Sequence, residues 1–276
     1  MDELSKEKAL EQIHELQQIV QGILLDVAQV CREEGLRFYM AEGSLIGAIR
    51  HHGFIPWDDD VDIAMPREDY EKFLQVAQAR LGDRYKVQHS TTVENYWSPF
   101  IKVRLVTDDP KFRQMHIAHL TKDNGPVLDV FPLDNVPKLS SFGQKLNRKL
   151  IGIFRGMITR KLGCLPHNTL ASAGVYYLSF LFSMKRLHRI LHWLHTHYNS
   201  PDNGYIVNWA SYYALEKETF PREAFGQPLF VPFEDYEMPV PSDYDTVLRT
   251  IYGDYMTPPP EDKRVIKHHF GVNSDD

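Results

Sequence analysis

Four aspartates fall within five consecutive positions, Asp58, Asp59, Asp60 and Asp62, with only Val61 between them. Like charges packed this densely repel one another, and a fold that concentrates them needs a cation to offset the repulsion. Carboxylate oxygens suit a hard divalent ion, Mg²⁺ first and Mn²⁺ as the alternative; Mg²⁺ is commonly held by a few carboxylates together with substrate phosphates. Alternation of acid with Val61 and Ile63 puts Asp60 and Asp62 on one face of a strand. Upstream, Gly43-Ser44 forms a small turn whose backbone N–H groups and hydroxyl can approach a phosphate. A third acid, Asp129, interrupts the apolar run Val127-Leu128-Asp129-Val130-Phe131. An acid there is costly unless paired or liganded, and a two-metal clamp needs ligands from more than one strand. The chemistry implied is metal-assisted transfer at phosphorus.

Several basic residues lie near these acids. Arg50, Lys102 and Arg104 can steady phosphate oxygens, against the plainer reading of an ordinary ion-pair role, which weighs more for Lys102 and Arg104. His51 and His52 belong to a loop above the site, where His52 either orients that loop or touches substrate. Asp58 belongs to the same acidic run. His188, His192 and His195 share one helical face and invite a zinc reading, but no carboxylate or cysteine completes the set. A polar helix face is the preferred explanation.

The elements that must position these groups follow from periodicity. Leu10, Ile13, Val20, Leu24, Val27 and Cys31 make one apolar stripe on a long opening helix that stops at Gly35. Leu36 to Ala41 reads as a strand, Gly43-Ser44 as a turn, and Leu45 to Arg50 as a short helix. Asp60 to Ala64 reads as a strand and Arg67 to Leu81 as a helix. Further strands are expected at Tyr85 to His89, Phe100 to Val106 and Val127 to Phe131. Short strands and fixed loops dominate the proline-rich C-terminal part, with one short helix from Tyr244 to Tyr252 ending at Gly253.

A chain of 276 residues, 43% hydrophobic and 12% aromatic, buries a substantial core, which excludes a disordered, collagen-like or disulfide-stapled chain. The formal charge of −6 argues against a nucleic-acid partner. It is unevenly spread, since Lys138 to Tyr198 carries ten Lys or Arg and no Asp or Glu. Two cysteines, Cys31 and Cys164, without a Cys-x-x-Cys pair, suit a reducing cytoplasm. The N-terminus lacks the pattern of a secretory signal, so the expected location is cytoplasmic. Leu162 to Met184 is uncharged, but Pro166, His167, Asn168 and Gly174 interrupt it, favouring a buried or interfacial helix over a membrane span. The expected organisation is a catalytic core over residues 1–137, a basic helical insertion or lid over 138–200, and a C-terminal segment, 201–276, that returns to the core.

The stretch from Gly43 to Arg67, with RHHGFIPWDDDVDIAMPR, together with LDVFPLD at 128–134 and YGDYMTPPPEDKRVIKHHF at 252–270, resembles the LicD phosphocholine transferases, relatives of fukutin and fukutin-related protein in the nucleotidyltransferase superfamily. The resemblance implies an α/β, nucleotidyltransferase-like mixed sheet flanked by helices. It also implies transfer of phosphocholine from CDP-choline, or a related CDP-alcohol, with release of CMP. The acceptor would be a sugar hydroxyl of a cell-surface glycan, teichoic acid or lipopolysaccharide, or of its lipid-linked precursor. Carried over by position, Asp60, Asp62 and Asp129 match the metal-binding acids and Gly43-Ser44 the phosphate-contacting turn. Asp129 also suits the role of base. A trimethylammonium group calls for an aromatic cage; Trp57, Trp209, Tyr212, Tyr213, Tyr252 and Tyr255 are candidates, with Trp57 preferred because it lies in the signature loop. The acid-free segment suits peripheral contact with an anionic membrane, at its inner face, where lipid-linked precursors are displayed. Two other readings stay open: nucleotidyl transfer to a small acceptor, and a non-catalytic glycan binder on the same fold.

Overall fold

The computed structural model describes residues 3–114, 117–138, 142–201, 203–260 and 263–264, with side chains from residue 11 onward. Helix α1, Glu3–Glu34, buries Leu16, Val20, Ile23, Leu24, Val27 and Cys31 along one stripe. It ends as expected at Gly35, where φ is +65° and the Leu36 N–H reaches back to the Cys31 carbonyl at 2.8 Å. That bond is the six-to-one closure that a left-handed glycine permits after a helix.

The core is a mixed sheet. Strands β1 (Tyr39–Met40), β2 (Val61–Pro66), β3 (Tyr85–Gln88), β4 (Ile101–Leu105) and β5 (Val127–Val136) lie in the order β1-β2-β5-β4-β3. Only β2 and β5 run parallel; the other neighbours are antiparallel. The far half of β5 extends the sheet through β6 (Tyr205–Val207) to β7 (Thr219–Pro221). A separate hairpin joins β8 (Leu229–Phe233) to β9 (Tyr236–Val240). The fold is therefore the expected α/β mixed sheet flanked by helices.

Three local expectations change. The first strand shrinks from Leu36–Ala41 to two residues, because β1 pairs only through Tyr39 with Ala64 and Met40 with Ile63 at the sheet edge. Gly43-Ser44 is not a free turn but the first turn of α2 (Glu42–Ile46), which continues as a π-helical turn over Gly47–His51. Asp60 precedes β2 instead of opening it, and β5 runs on to Val136 because β6 supplies partners for its second half.

Helix α3, Arg67–Leu81, connects β2 to β3, and its first residue ties helix to sheet. The Arg67 guanidinium donates two parallel bonds to Asp134 on β5, at 2.8 and 2.7 Å, and a third to Glu71 at 3.1 Å. The opposite face of the sheet, carrying Ala64 and Leu133, meets α2 and the last helix, α7 (Tyr244–Tyr252). The basic stretch forms α4 (Phe142–Lys161), α5 (Leu170–Ser179) and α6 (Met184–Thr196). These helices build a second apolar cluster, in which Ile151, Ile158, Leu187, Leu191 and Leu194 surround Trp209 and the β5–β6 extension. No helix among the described residues is long and apolar enough to cross a membrane.

Asp134 is 0% exposed, so removing its partner leaves a buried charge uncompensated. Arg67→Ala should lower stability by about 3–5 kcal/mol, seen as a reduced urea midpoint at unchanged slope.

Candidate active site

The parallel register of β2 and β5 sets Asp62 directly beside Asp129, and the antiparallel register of β4 sets Lys102 beside Asp129. Neighbouring strands lie about 4.8 Å apart and in-register side chains share a face, so Asp62, Asp129 and Lys102 form one row across three strands. Lys102 Nζ donates to both oxygens of Asp129, at 2.7 and 2.5 Å, and sits 4.7 Å from the centre of the Phe100 ring. Lys102 is thus occupied by Asp129 and fixes the orientation of that carboxylate.

The acidic run lies at the entrance to β2. Asp58, Asp59 and Asp60 each offer a carboxylate oxygen within 4.8 Å of the others, and they are the one such trio of metal-capable side chains among the described residues. Asp58 and Asp59 are buried. The loop that holds them is pinned from α1, where the Gln17 amide donates to the carbonyls of Ile55 and Asp58 at 3.2 and 2.8 Å. The α2 turn closes on them from the other side. A side chain at Gly43 would stand 2.6 Å from Asp58 Oδ2, so glycine is what lets that carboxylate approach the helix. Ser44 Oγ accepts the Asp62 N–H at 2.9 Å, and the Ala41 N–H donates to the Asp62 carbonyl at 3.0 Å.

Asp62 is held well above the usual carboxylate range. Loss of hydration is the largest cause, followed by the charges of Asp60, Asp129, Glu42 and Asp58. Four carboxylates therefore act on Asp62, and one of them, Asp129, is paired with Lys102. This set of hard oxygen donors fits a divalent cation such as Mg²⁺. The zinc reading of His188, His192 and His195 gains no such trio among the described residues.

The remaining predicted residues divide by what holds them. Arg50 Nη1 donates to the Tyr255 carbonyl at 2.6 Å and Nε meets His51 Nε2 at 3.0 Å, fastening the loop to the C-terminal segment. His52 is exposed, adopts φ of +56°, and its carbonyl accepts the Glu234 N–H at 2.8 Å. That contact brings the β8–β9 turn against the loop, and Gly53 leaves the space that the Glu234 carboxylate fills. Trp57 carries the Arg264 guanidinium 5.1 Å from its ring centre. Arg104 lies in the interior, bonded to Gln88, Gln114 and the Gly125 carbonyl.

Among the aromatic candidates, Trp209 is fully buried in the helical cluster and cannot line a substrate cage, and Tyr255 is buried with its hydroxyl on Asp245. Tyr212 is exposed beneath the Arg155 guanidinium. Tyr252 does border the acids: its hydroxyl donates to Glu42 Oε2 at 3.0 Å, and Tyr213 meets its ring edge-on. His268 and His269 lie outside the described residues.

Sequence reasoning missed Glu42 and Glu218. Glu42 follows Ala41 directly into the Gly43-Ser44 pair and acts on Asp62, so its position was the available signal. Glu218 is buried beyond it, accepts the Ser211 hydroxyl at 2.6 Å, and is pushed up to about 9 by burial and by Glu42. Nothing in its surrounding sequence indicated this.

Residues 35–139 match the family model described as the LicD/FKTN/FKRP nucleotidyltransferase domain. Over 265 residues, covering 93% of this chain and 96% of the relative, the sequence is 29% identical to the lipopolysaccharide cholinephosphotransferase LicD of Haemophilus influenzae. Over 56 residues, 20% of this chain and 11% of the relative, it is 41% identical to the ribitol 5-phosphate transferase FKRP of Homo sapiens. An uncharacterized protein of Rickettsia typhi is 31% identical over 68 residues, 25% of this chain and 22% of its own.

Unfolded Glu218 releases its proton near 4.5, whereas in the folded protein it keeps the proton to about 9. Its contribution to stability therefore falls as pH rises through that window. Glu218→Gln should flatten this slope and leave the protein more stable than the parent at pH 8, measured by urea denaturation across pH 5 to 9.

Proposed function

We propose that this chain, whose residues 35–139 match the LicD/FKTN/FKRP nucleotidyltransferase domain, is a transferase that moves phosphocholine from CDP-choline to a sugar hydroxyl of a cell-surface glycan or its lipid-linked precursor, releasing CMP. The observation that carries this reading is the convergence of Asp58, Asp60, Asp62, Asp129 and Glu42 on one point beside Lys102. Such a set is built to hold cations against a pyrophosphate. Similarity to a cholinephosphotransferase along nearly the whole chain supports choline over other alcohols.

Asp60, Asp62 and Asp129 would hold Mg²⁺, with Asp58 next to them. When bound, the ion supplies positive charge to pyrophosphate oxygens and to the leaving phosphate. The chain's own groups do the rest. Gly43 and Ser44 meet the donor phosphates from the first turn of α2. Arg50 and His52 shape the loop above them, and Trp57 would exchange its contact with the Arg264 guanidinium for the quaternary ammonium. The acceptor oxygen attacks the choline-side phosphorus, the bond from that phosphorus to the bridging oxygen breaks, and CMP leaves with the bridging oxygen. Asp129, oriented by Lys102, takes the hydroxyl proton.

The basic insertion suits the site where a lipid-linked acceptor is presented. Leu170 is 95% exposed and Leu181 74%, with Tyr177, Leu178 and Phe180 exposed between them. Lys161 and Arg186 stand over the neighbouring rings of Phe180 and Phe182, and no acid occurs from Lys138 to Tyr198. An apolar patch of this kind rimmed by cations matches the inner, anionic face of a cell membrane.

Incubation with Mg²⁺, CDP-choline and acceptor should release CMP, and Asp62→Asn should lower turnover by more than ~100-fold, a loss that second-layer changes at metal sites already approach. Pyrophosphate released from CTP would identify a nucleotidyltransferase instead. Absence of Mg²⁺-dependent turnover with an authentic acceptor would leave a glycan-binding protein.

In vesicle co-sedimentation, the protein should bind phosphatidylglycerol-containing vesicles at low salt. Leu170→Glu/Leu181→Glu should abolish binding. Equal binding by parent and variant would remove the membrane from the reading.

A further inference from the structure

On the α3 side of the sheet, away from the acidic cluster, lies a cleft of about 600 Å³. Its walls come from three places that are distant in sequence: the start of α3, the segments after β3 and before β4, and one face of α6. Helix α6 turns Lys185, His188, Arg189, His192 and His195 toward it, spaced so that they share a face. The core contributes His89, Ser90, Thr91 and Ser98.

Two features of these groups call for a ligand. His195 is 4% exposed, yet its Nε2 has no hydrogen-bond partner, and neither has the buried Nε2 of His188. Buried polar atoms are nearly always satisfied, so two orphaned ring nitrogens in one cleft are unusual. At the mouth, Lys185 and Arg189 are exposed and form no ion pair among the described residues. Arg67, by contrast, is committed to Asp134 and Glu71.

The sign of the ligand follows from the surroundings. The charges felt by His89 and His195 are those of Arg67, Arg148 and Arg155 and of the other histidines, all of which hold these rings below the usual histidine range after burial has done so. A metal cation would meet that same positive field. An anion would be drawn into it. His89 Nδ1 accepts the Thr91 N–H at 3.3 Å, which leaves Nε2 as the protonated nitrogen and hence a donor. The hydroxyl of Ser90 adds a further donor. The one carboxylate in the lining, Glu71, is paired with Arg67, so donors, a net positive potential and a volume well beyond a single water describe a phosphate site.

We propose that the cleft between α3 and α6 binds a phosphate-bearing anion, held by Lys185 and Arg189 at its mouth and by His89, His188 and His195 within. This site is separate from the acidic cluster and does not depend on the transfer reaction assigned to it. The source of the phosphate is either a soluble monoester or the diester backbone of a polymer; both present the same oxygens.

The test uses the full chain labelled with ¹⁵N-histidine and titrated with inorganic phosphate, without donor or Mg²⁺. The expected result is a saturable shift of the His89, His188, His192 and His195 ring signals together, with His14 unmoved. Lys185→Glu/Arg189→Glu should weaken phosphate binding at least about tenfold while the far-ultraviolet dichroism stays that of the parent. Rings that stay still at phosphate levels saturating ordinary millimolar sites would overturn the proposal. Equal affinity in the charge-reversed variant would do the same. So would a response to stoichiometric Zn²⁺ in place of phosphate. Tighter binding of glycerol 3-phosphate than of glycerophosphoglycerol identifies the monoester source, and the reverse order the polymer backbone.

Discussion

Repulsion among carboxylates gathered around Asp62 opposes folding, so the surrounding structure has to hold the acids where they would not otherwise stay. Each restraint comes from a different element. Gln17 on α1 grips the loop carrying Asp58, Ser44 on α2 takes the backbone N–H of Asp62, and Lys102 on β4 clamps Asp129. Like charges held in place by such contacts set up a field that favours a cation.

The same logic explains the long reach of the C-terminal half. The loop after α2 packs Ile55 into the core, and its outer part is fixed by the Tyr255 carbonyl through Arg50 and by the β8–β9 turn through the His52 carbonyl. Tyr252, at the end of α7, reaches Glu42. Segments more than 180 residues apart thus meet at the rim of the acidic site, and the C-terminal part completes the entrance that the N-terminal part begins.

Much of this was legible from residue types. Alternation of Asp60 and Asp62 with Val61 and Ile63 identified the acidic strand entrance, and an acid in the apolar run around Asp129 identified its neighbour, since both depend on local pattern alone. Helix α3 and the stop of α1 at Gly35 were equally local. What stayed hidden depends on register and on distant pairing. The Lys102–Asp129 clamp follows from which residue of β4 stands opposite Asp129, and no local pattern encodes that. Glu42 and Glu218 owe their environment to α7 and β7, which fold back from the far end of the chain. Gly43-Ser44 reads as a turn in isolation, but both residues lie in α2, where Ser44 accepts the Asp62 N–H from β2.

The parallel pairing of β2 with β5 also sets an order of events. Asp62 and Asp129 become neighbours only after α3, β3 and β4 have been laid down between them, because a parallel partner is reached by a crossover and not by a tight hairpin. During synthesis, a nascent chain that has emerged only as far as β4 can pair β2 with β1 but has no β5 row to set beside Asp62. The row of Asp62, Asp129 and Lys102 therefore comes into being late, once β5 has slotted between β2 and β4, and a stalled or truncated chain would leave the ribosome without it.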